Sequence, residues 1–207
     1  MKKLGIAALA CSGLLFAHQA SAGSEGAVDL YYIPSAEFEV DVDGFGESEF
    51  DDGDGFGAKA RFALGSQLFI AGEYQTVEYE ELGGLPIDGE LDQIRGGLGF
   101  WIGADSPFYV AAEAVHLDLD TGDDGDDETG FAAHLGVNAP LGESINLYGQ
   151  AGYIDVDGDG LELLGGLAFQ VTQTLALFAD YRHTTLDDDG VEITFSDFRA
   201  GIRLALL

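Results

Sequence analysis

Three histidines beyond residue 26 are the side chains best suited to acid–base chemistry: His116, His134 and His183. Hydrolysis by a histidine needs a carboxylate that orients the imidazole and a nucleophile or activated water beside it. The best grouping is His183 followed by Thr184, Thr185 and Asp187. A purely structural position near the edge of the fold is the simpler interpretation of this group. We therefore predict no catalytic residue and no enzymatic activity.

The segment from Asp155 to Gly160 has the opening spacing of an EF-hand calcium loop. That loop requires a glutamate at position 166, where this chain has Gly166, and a β-type alternation follows instead of a helix. We reject an EF-hand and expect no cofactor. Asp155, Asp157 and Asp159 are left as weak candidates for binding calcium or magnesium, against the alternative of a solvated acidic loop.

The first 22 residues have the order of a secretory signal peptide. Lys2 and Lys3 are followed by an apolar stretch that is too short to span a membrane as a helix, and then by Ala20-Ser21-Ala22, a small-residue cleavage site. We predict a cleaved signal peptide over 1–22 and one domain over 23–207. The only cysteine, Cys11, lies in the signal peptide, so the mature chain has no disulfide.

The charge balance excludes one class of partner. Asp and Glu number 38 against 8 Lys and Arg, a formal net charge of −30. Nucleic-acid binding requires a basic surface, so we expect none. With 46% hydrophobic residues, the chain is too apolar to be disordered. The acidic residues must therefore be segregated from an apolar part.

Beyond residue 26 the chain repeats one unit, a two-residue alternation of about ten residues followed by a turn. This pattern predicts ten strands near 27–40, 55–64, 67–78, 91–102, 107–118, 130–139, 144–154, 161–171, 174–184 and 191–206. Short connections alternate with long acidic loops at 41–54, 79–90, 119–129, 155–160 and 185–190. Tight turns at one end and longer polar loops at the other predict an all-β fold, a transmembrane antiparallel up-and-down β-barrel.

A soluble β-sandwich also alternates, with its apolar face turned inward. Strand length, the regular alternation of loop lengths and the last strand favour the membrane barrel. On this interpretation apolar residues face lipid, as Phe56 and Phe62 do, while Lys59 and Arg61 face the lumen. Four aromatic residues are assigned to interfacial belts: Tyr74, Trp101, Tyr153 and Tyr181.

The final segment, Gly201-Ile202-Arg203-Leu204-Ala205-Leu206-Leu207, resembles the terminal strand of outer-membrane barrels, although a terminal Phe is usual there. With the segment from Leu91 to Phe100, it makes the chain similar to small Gram-negative outer-membrane β-barrel proteins of the opacity-protein, porin-like type. The resemblance implies a surface-exposed, non-enzymatic membrane protein, and it makes eight strands the alternative to ten. It also implies an assembly signal at Gly201, Leu204, Leu206 and Leu207.

From these observations we expect a monomer in the outer membrane of a Gram-negative bacterium. Its partners would be membrane lipid, lipopolysaccharide and the barrel assembly machinery. The expected function is a structural envelope component or a small low-conductance porin. The alternative is a surface adhesion or divalent-cation-binding protein that acts through its acidic loops.

All six basic residues beyond the signal peptide share the inward phase of their strands with a set of acids. Because charges in a narrow lumen are costly unless paired, we predict an ion-pair network that restricts permeation, against the alternative of a wet pore. Its predicted members are Lys59, Arg61, Arg95, Arg182, Arg199, Arg203, Asp29, Glu37, Glu39, Glu73, Glu113, Asp180 and Asp197. Because Val191, Ile193 and Phe195 share the phase of Arg199, a β-bulge is expected near Ser196.

Overall fold

A computed structural model describes residues 26–44, 46–79, 81–82, 89–103, 106–120, 125–188 and 190–206. The predicted signal peptide and Leu207 lie outside the described residues. Within them the chain forms eleven strands: β1 Gly26–Val42, β2 Gly46–Ala63, β3 Leu68–Tyr79, β4 Glu81–Leu82, β5 Gly89–Trp101, β6 Phe108–Asp120, β7 Gly125–Leu141, β8 Ile145–Asp155, β9 Asp159–Gln170, β10 Leu175–Asp188 and β11 Val191–Leu206.

Ten of these strands form a closed barrel. Each long strand pairs antiparallel with its neighbours in the chain, and β1 pairs with both β2 and β11. The short β4 only adds to the edge of β2. The structure therefore confirms the up-and-down barrel and decides for ten strands over eight. No helix among the described residues is long and apolar enough to cross a membrane.

Short turns join β2 to β3, β5 to β6, β7 to β8 and β9 to β10. The first residue of β1, Gly26, and the last of β11, Leu206, lie at the same end of the barrel. We call this the short-turn end and the opposite one the hairpin end. The outward face carries large exposed apolar side chains on every long strand, among them Phe56, Ile94, Leu135, Leu163 and Phe198. This arrangement is that of a barrel whose outer surface faces lipid.

Two of the connections at the hairpin end contain more strand than the sequence predicts. Much of the segments 41–54 and 119–129, expected as loops, is strand: β1 and β2 stay paired up to Val42 and Gly46, and β6 and β7 up to Asp120 and Gly125. The first hairpin turns at Gly44, whose φ of 82° suits glycine. Acidic residues are compatible with these strands because the strands extend beyond the length that a bilayer requires.

A β-bulge in β1 changes which residues face the lumen. The register shifts between Tyr32 and Ser35 against β11, and again near Ala36 against β2. Ile33 and Ala36 both point inward and are buried, although they are three residues apart. The bulge expected near Ser196 is absent from the described β11, which pairs with β10 without interruption. Ile193 and Phe195 instead point inward and pack in an apolar layer.

Candidate functional site

The centre of the lumen is filled by an ion-pair layer. Arg199 lies at the centre of this layer and is fully buried. The Arg199 Nε donates to Asp180 Oδ1 at 2.5 Å, and the Arg199 Nη1 donates to Glu73 Oε1 at 2.8 Å. Arg182 lies beside it and donates to Asp197 Oδ2 from Nε at 3.1 Å and from Nη2 at 3.0 Å. Side chains from β3, β10 and β11 thus share one network across the lumen.

A second group completes the ion-pair layer from the opposite wall. Glu162 on β9 is fully buried and accepts two hydrogen bonds from the guanidinium of Arg95 on β5, the Nη1 bond at 2.8 Å. His134 Nε2 lies 3.1 Å from Glu162 Oε1, and Thr184 donates to Glu162 Oε2 at 3.2 Å. Glu113 is within 3.8 Å of Arg95. These contacts join strands that are far apart around the barrel wall.

Uncharged polar side chains tie the layer together. Gln75 Oε1 accepts from Arg182 Nη2 at 2.6 Å, and its Nε2 donates to Asp197 at 3.3 Å. Tyr31 donates its hydroxyl to Glu73 at 2.7 Å, and its ring packs under the guanidinium of Arg199. The close approach of the Tyr31 ring to the β2 backbone requires glycine at Gly57, where a Cβ would overlap the ring.

An apolar cap lies above the ion-pair layer, toward the hairpin end. We define it as Phe38, Val77, Tyr79, Leu91, Ile154, Leu186 and Phe195, which are buried or partly buried inside the barrel. The Phe38 and Phe195 rings stack with their centroids 4.9 Å apart. The cavity between the cap and the ion-pair layer is about 20 Å³, room for a water or two. The side chains of the cap and of the layer together fill this part of the lumen.

A larger cavity, about 90 Å³, lies below the ion-pair layer at the short-turn end. We call it the short-turn cavity. Arg203 lies in its wall and donates to both carboxylate oxygens of Asp29, each at 2.8 Å. Lys59 and Arg61 also line it, but among the described residues neither has an ion-pair partner. Arg61 instead lies over the rings of Phe69 and Trp101, 5.7 Å from each centroid.

The predicted network members thus fall into three groups. Arg95, Arg182, Arg199 and Arg203 are brought together with Asp29, Glu73, Glu113, Asp180 and Asp197 in ion pairs. Lys59 and Arg61 face the lumen without such a pair. Glu37 and Glu39 are placed on the outer face, because the β1 bulge reverses the alternation beyond Ala36; they pair across strands with Ser196 and Thr194.

Sequence reasoning missed Glu162, Gln75 and Tyr31, and it gave His134 no role in the network. The alternation could have predicted that Glu162 points inward, since Leu161 and Leu163 on either side of it face outward. Trp101, expected in an interfacial belt, shares the inward phase of Arg95 and lies at the mouth of the lumen, in edge contact with Tyr109. Three other tyrosines are exposed on the outer face as expected: Tyr74, Tyr153 and Tyr181.

The two remaining histidines lie on the outer face. His116 Nδ1 is 2.9 Å from Thr129 Oγ1, and His183 Nδ1 is 2.9 Å from Ser196 Oγ. The second ring nitrogen of His183 lies 3.4 Å from the Thr185 hydroxyl. In a serine–histidine pair, the serine acts as a nucleophile when a carboxylate orients the histidine as its base. In the part of the chain that the structure describes, no carboxylate contacts His183, so the pair lacks that third group.

The weak metal candidates lie in the turn between β8 and β9. Asp155 and Asp159 face each other across the strands, and Asp157 takes a positive φ of 51°. Among the described residues no three His, Cys, Asp or Glu side chains are grouped to hold a metal ion. In the last strand Leu204 and Leu206 are exposed on the outer face, while Gly201 lies against the Tyr31 backbone.

No protein-family model and no curated protein matches the chain. Solved structures do. The outer membrane protease OmpT of Escherichia coli has a TM-score of 0.53 at 9% identity, over 87% of this chain and 96% of that one. Neisserial surface protein A has a TM-score of 0.45 at 18% identity, over 88% and 98%. The attachment invasion locus protein Ail of Yersinia pestis has a TM-score of 0.38 at 16% identity, over 87% and 99%. The fold is that of a small outer-membrane β-barrel.

Proposed function

We propose that this chain is a closed structural barrel of a Gram-negative outer membrane, which contributes to the envelope and holds acidic hairpins at the cell surface. The observation that carries the proposal is the filled lumen: the ion-pair layer and the apolar cap lie one above the other. A low-conductance porin needs a continuous polar path, and buried Leu91, Ile154 and Leu186 stand in the way of one. Burial of these side chains favours a closed state.

Three further features support placement in a membrane. The outward face carries exposed apolar side chains on every long strand, while four of the six lumen cations are paired with acids inside. Strand pairing leaves no free long edge, since β1 closes on β11. On this basis the partners are membrane lipid on the outer face, lipopolysaccharide beside the hairpins, and the machinery that assembles barrels.

A catalytic role forms no part of the proposal. OmpT, which shares the fold, is a protease, but a fold does not carry an activity with it. In this chain His134 is enclosed between Glu113 and Glu162, while His183 faces outward with hydroxyl partners. Neither arrangement gives an exposed base with an orienting carboxylate.

The test is conductance of the refolded chain in planar bilayers, with insertion verified by flotation of parallel vesicle samples. We expect no discrete current steps, because both layers would have to open together. Discrete steps of constant size would refute the closed barrel and support the low-conductance porin. Membrane placement is tested separately, by fractionation and by a gel shift on boiling. Recovery of a soluble periplasmic protein would contradict it.

Divalent-cation binding is the second candidate, and one observation favours it. At the hairpin end, acids lie directly opposite one another on neighbouring strands: Glu90 with Asp120, and Asp118 with both Asp92 and Asp127. Like charges placed opposite each other destabilise a sheet unless a counterion offsets them. Calorimetry with calcium and magnesium, on the native chain and on Asp118→Asn, would measure binding. Unchanged heats in the variant would exclude this site.

A further inference from the structure

We propose that the short-turn cavity binds a small soluble oxyanion, a carboxylate or phosphate, between Lys59 and Arg61. The cavity is preformed and holds about 90 Å³. A buried water takes roughly 10–15 Å³ by the same measure, so the space suits a molecule of about six to nine non-hydrogen atoms. Succinate, with eight non-hydrogen atoms, is in that range, and inorganic phosphate, with five, is small enough to enter.

The charges around the cavity are unevenly satisfied. Four arginines make ion pairs with the carboxylates of the lumen, and the two acids directly opposite Lys59 on the neighbouring strands are both engaged by them. Asp29, its cross-strand neighbour on β1, is held by Arg203 through two hydrogen bonds. Glu73, its neighbour on β3, is held by Arg199 at 2.8 Å and by Arg182 at 3.5 Å.

Lys59 and Arg61 therefore present donors that no described carboxylate fills. Both lie on β2 and point into the cavity, two residues apart on the same face of the strand. The cross-strand neighbours of Arg61 are Ala27 and Ala71, whose small side chains leave the space open. An ammonium and a guanidinium on one side of a cavity match the oxygens of an anion, and bonds between charged groups are the stronger kind.

A third acid in the wall, Glu113, lies 3.8 Å from Arg95. The uncharged side chains of the wall suit the carbon part of an organic anion. Phe69, Tyr109 and Tyr148 give the wall an aromatic surface, and Gln150 and Asn138 add polar groups. Since these residues point into the lumen, the ligand is a soluble anion that enters from the short-turn end. Lipid headgroups lie on the other side of the barrel wall. This site is independent of whether the barrel conducts.

The chain contains a reporter for this site. Its single tryptophan, Trp101, contacts both Arg61 and Tyr109, which line the cavity. Refolded protein is titrated with inorganic phosphate and with succinate, at ionic strength held constant with potassium chloride. Tryptophan emission and calorimetry are followed together. We expect saturable binding of both anions and none of dimethyl succinate, the uncharged ester.

Charge variants decide whether Lys59 and Arg61 form the site. In Lys59→Gln the Arg61–Trp101 contact is left in place, and we expect affinity to fall about 10-fold, the value of one charge-assisted bond. Lys59→Arg keeps the charge and should retain binding within a few-fold. Arg61→Gln should lower the affinity by the same factor as Lys59→Gln. Its binding is measured by calorimetry alone, because the substitution removes the contact with Trp101. Folding of each variant is verified by the gel shift on boiling. No saturable binding, or equal affinity in Lys59→Gln and the native chain, would overturn the proposal.

Discussion

At the scale of single residues, the buried charges of the lumen depend most strongly on their partners. Arg199 and Glu162 are each fully buried, and each has at least two partners: Arg199 pairs with Glu73 and Asp180, and Glu162 accepts hydrogen bonds from Arg95 and Thr184. Removing an ion from water costs several kcal/mol, which only good pairing offsets. The penalty for removing one partner is therefore larger than the gain from the pair itself, since the remaining charge stays buried.

Glu162→Ala is expected to destabilise the barrel by about 3–5 kcal/mol, because it leaves Arg95 without its main carboxylate. Glu37→Ala is the matched control: the same change on the outer face should alter stability by no more than about 0.5 kcal/mol. Unfolding by urea in lipid vesicles measures both. Equal losses in the two variants would contradict the placement of Glu162 in the ion-pair layer and of Glu37 outside it.

Arg199→Ala should have a comparable effect, about 3–5 kcal/mol, since Glu73 and Asp180 would lose their closest cation. The same variant reports on the function, because opening the ion-pair layer should make the barrel leakier if the apolar cap yields with it. Dye release from vesicles and urea unfolding are measured on one preparation, and Arg95→Ala is measured beside it. Unchanged stability in both variants would mean a hydrated, open lumen.

At the scale of elements, the β1 bulge decides which side chains seal the hairpin end. A shift of one residue moves every side chain of a strand to the other face. Without the bulge, Glu37 and Glu39 would enter the lumen and Phe38 would face outward. The bulge occurs at Ile33-Pro34-Ser35-Ala36, where proline cannot donate to the ladder. The apolar cap and its stacked Phe38–Phe195 pair depend on it.

Cysteine labelling tests this frame directly. The chain from residue 23 onward has no cysteine, so single cysteines can be placed without background. In folded protein, the cysteine of Glu37→Cys should react with a small maleimide at the rate of an exposed thiol. Phe38→Cys should stay protected until the barrel is unfolded, because its side chain is inside the cap. Protection at 37 together with reaction at 38 would show that the alternation runs unbroken through Pro34.

The bulge also explains where prediction from sequence reached its limit. Alternation alone predicts the ten strands and the inward phase of the six cations, since both depend on a period of two. In β1 it fails beyond Ala36, because a period of two does not register the one-residue shift at Pro34. It also leaves partners open: Arg95 on β5 meets Glu162 on β9 across the lumen, and only the three-dimensional closure of the barrel sets that distance.

For the whole molecule, the distribution of charge is the main feature. The chain carries a formal charge of −30, yet the six basic residues beyond residue 26 all lie in the lumen, and four of them are in ion pairs with acids. Exposed acids such as Asp41, Glu78, Asp118 and Asp187 concentrate at the hairpin end. Because the exposed acids lie at one end of the barrel, its two possible orientations in a bilayer place them in different aqueous compartments.

Barrels of outer membranes place short turns in the periplasm and long connections outside, and we expect the same orientation here. An epitope tag inserted after Gly125, at the first residue of β7, should be reached by antibody on intact cells. A tag of the same sequence after Ser66, in the short turn between β2 and β3, should be reached only after the outer membrane is permeabilised. Both tagged chains must retain the gel shift on boiling, which verifies that the barrel has folded. If antibody reaches the tag after Ser66 on intact cells and misses the one after Gly125, the orientation is inverted. In that case the acidic hairpins would face the periplasm, the short-turn cavity would open to the cell exterior, and the surface role of the hairpins would have to be abandoned.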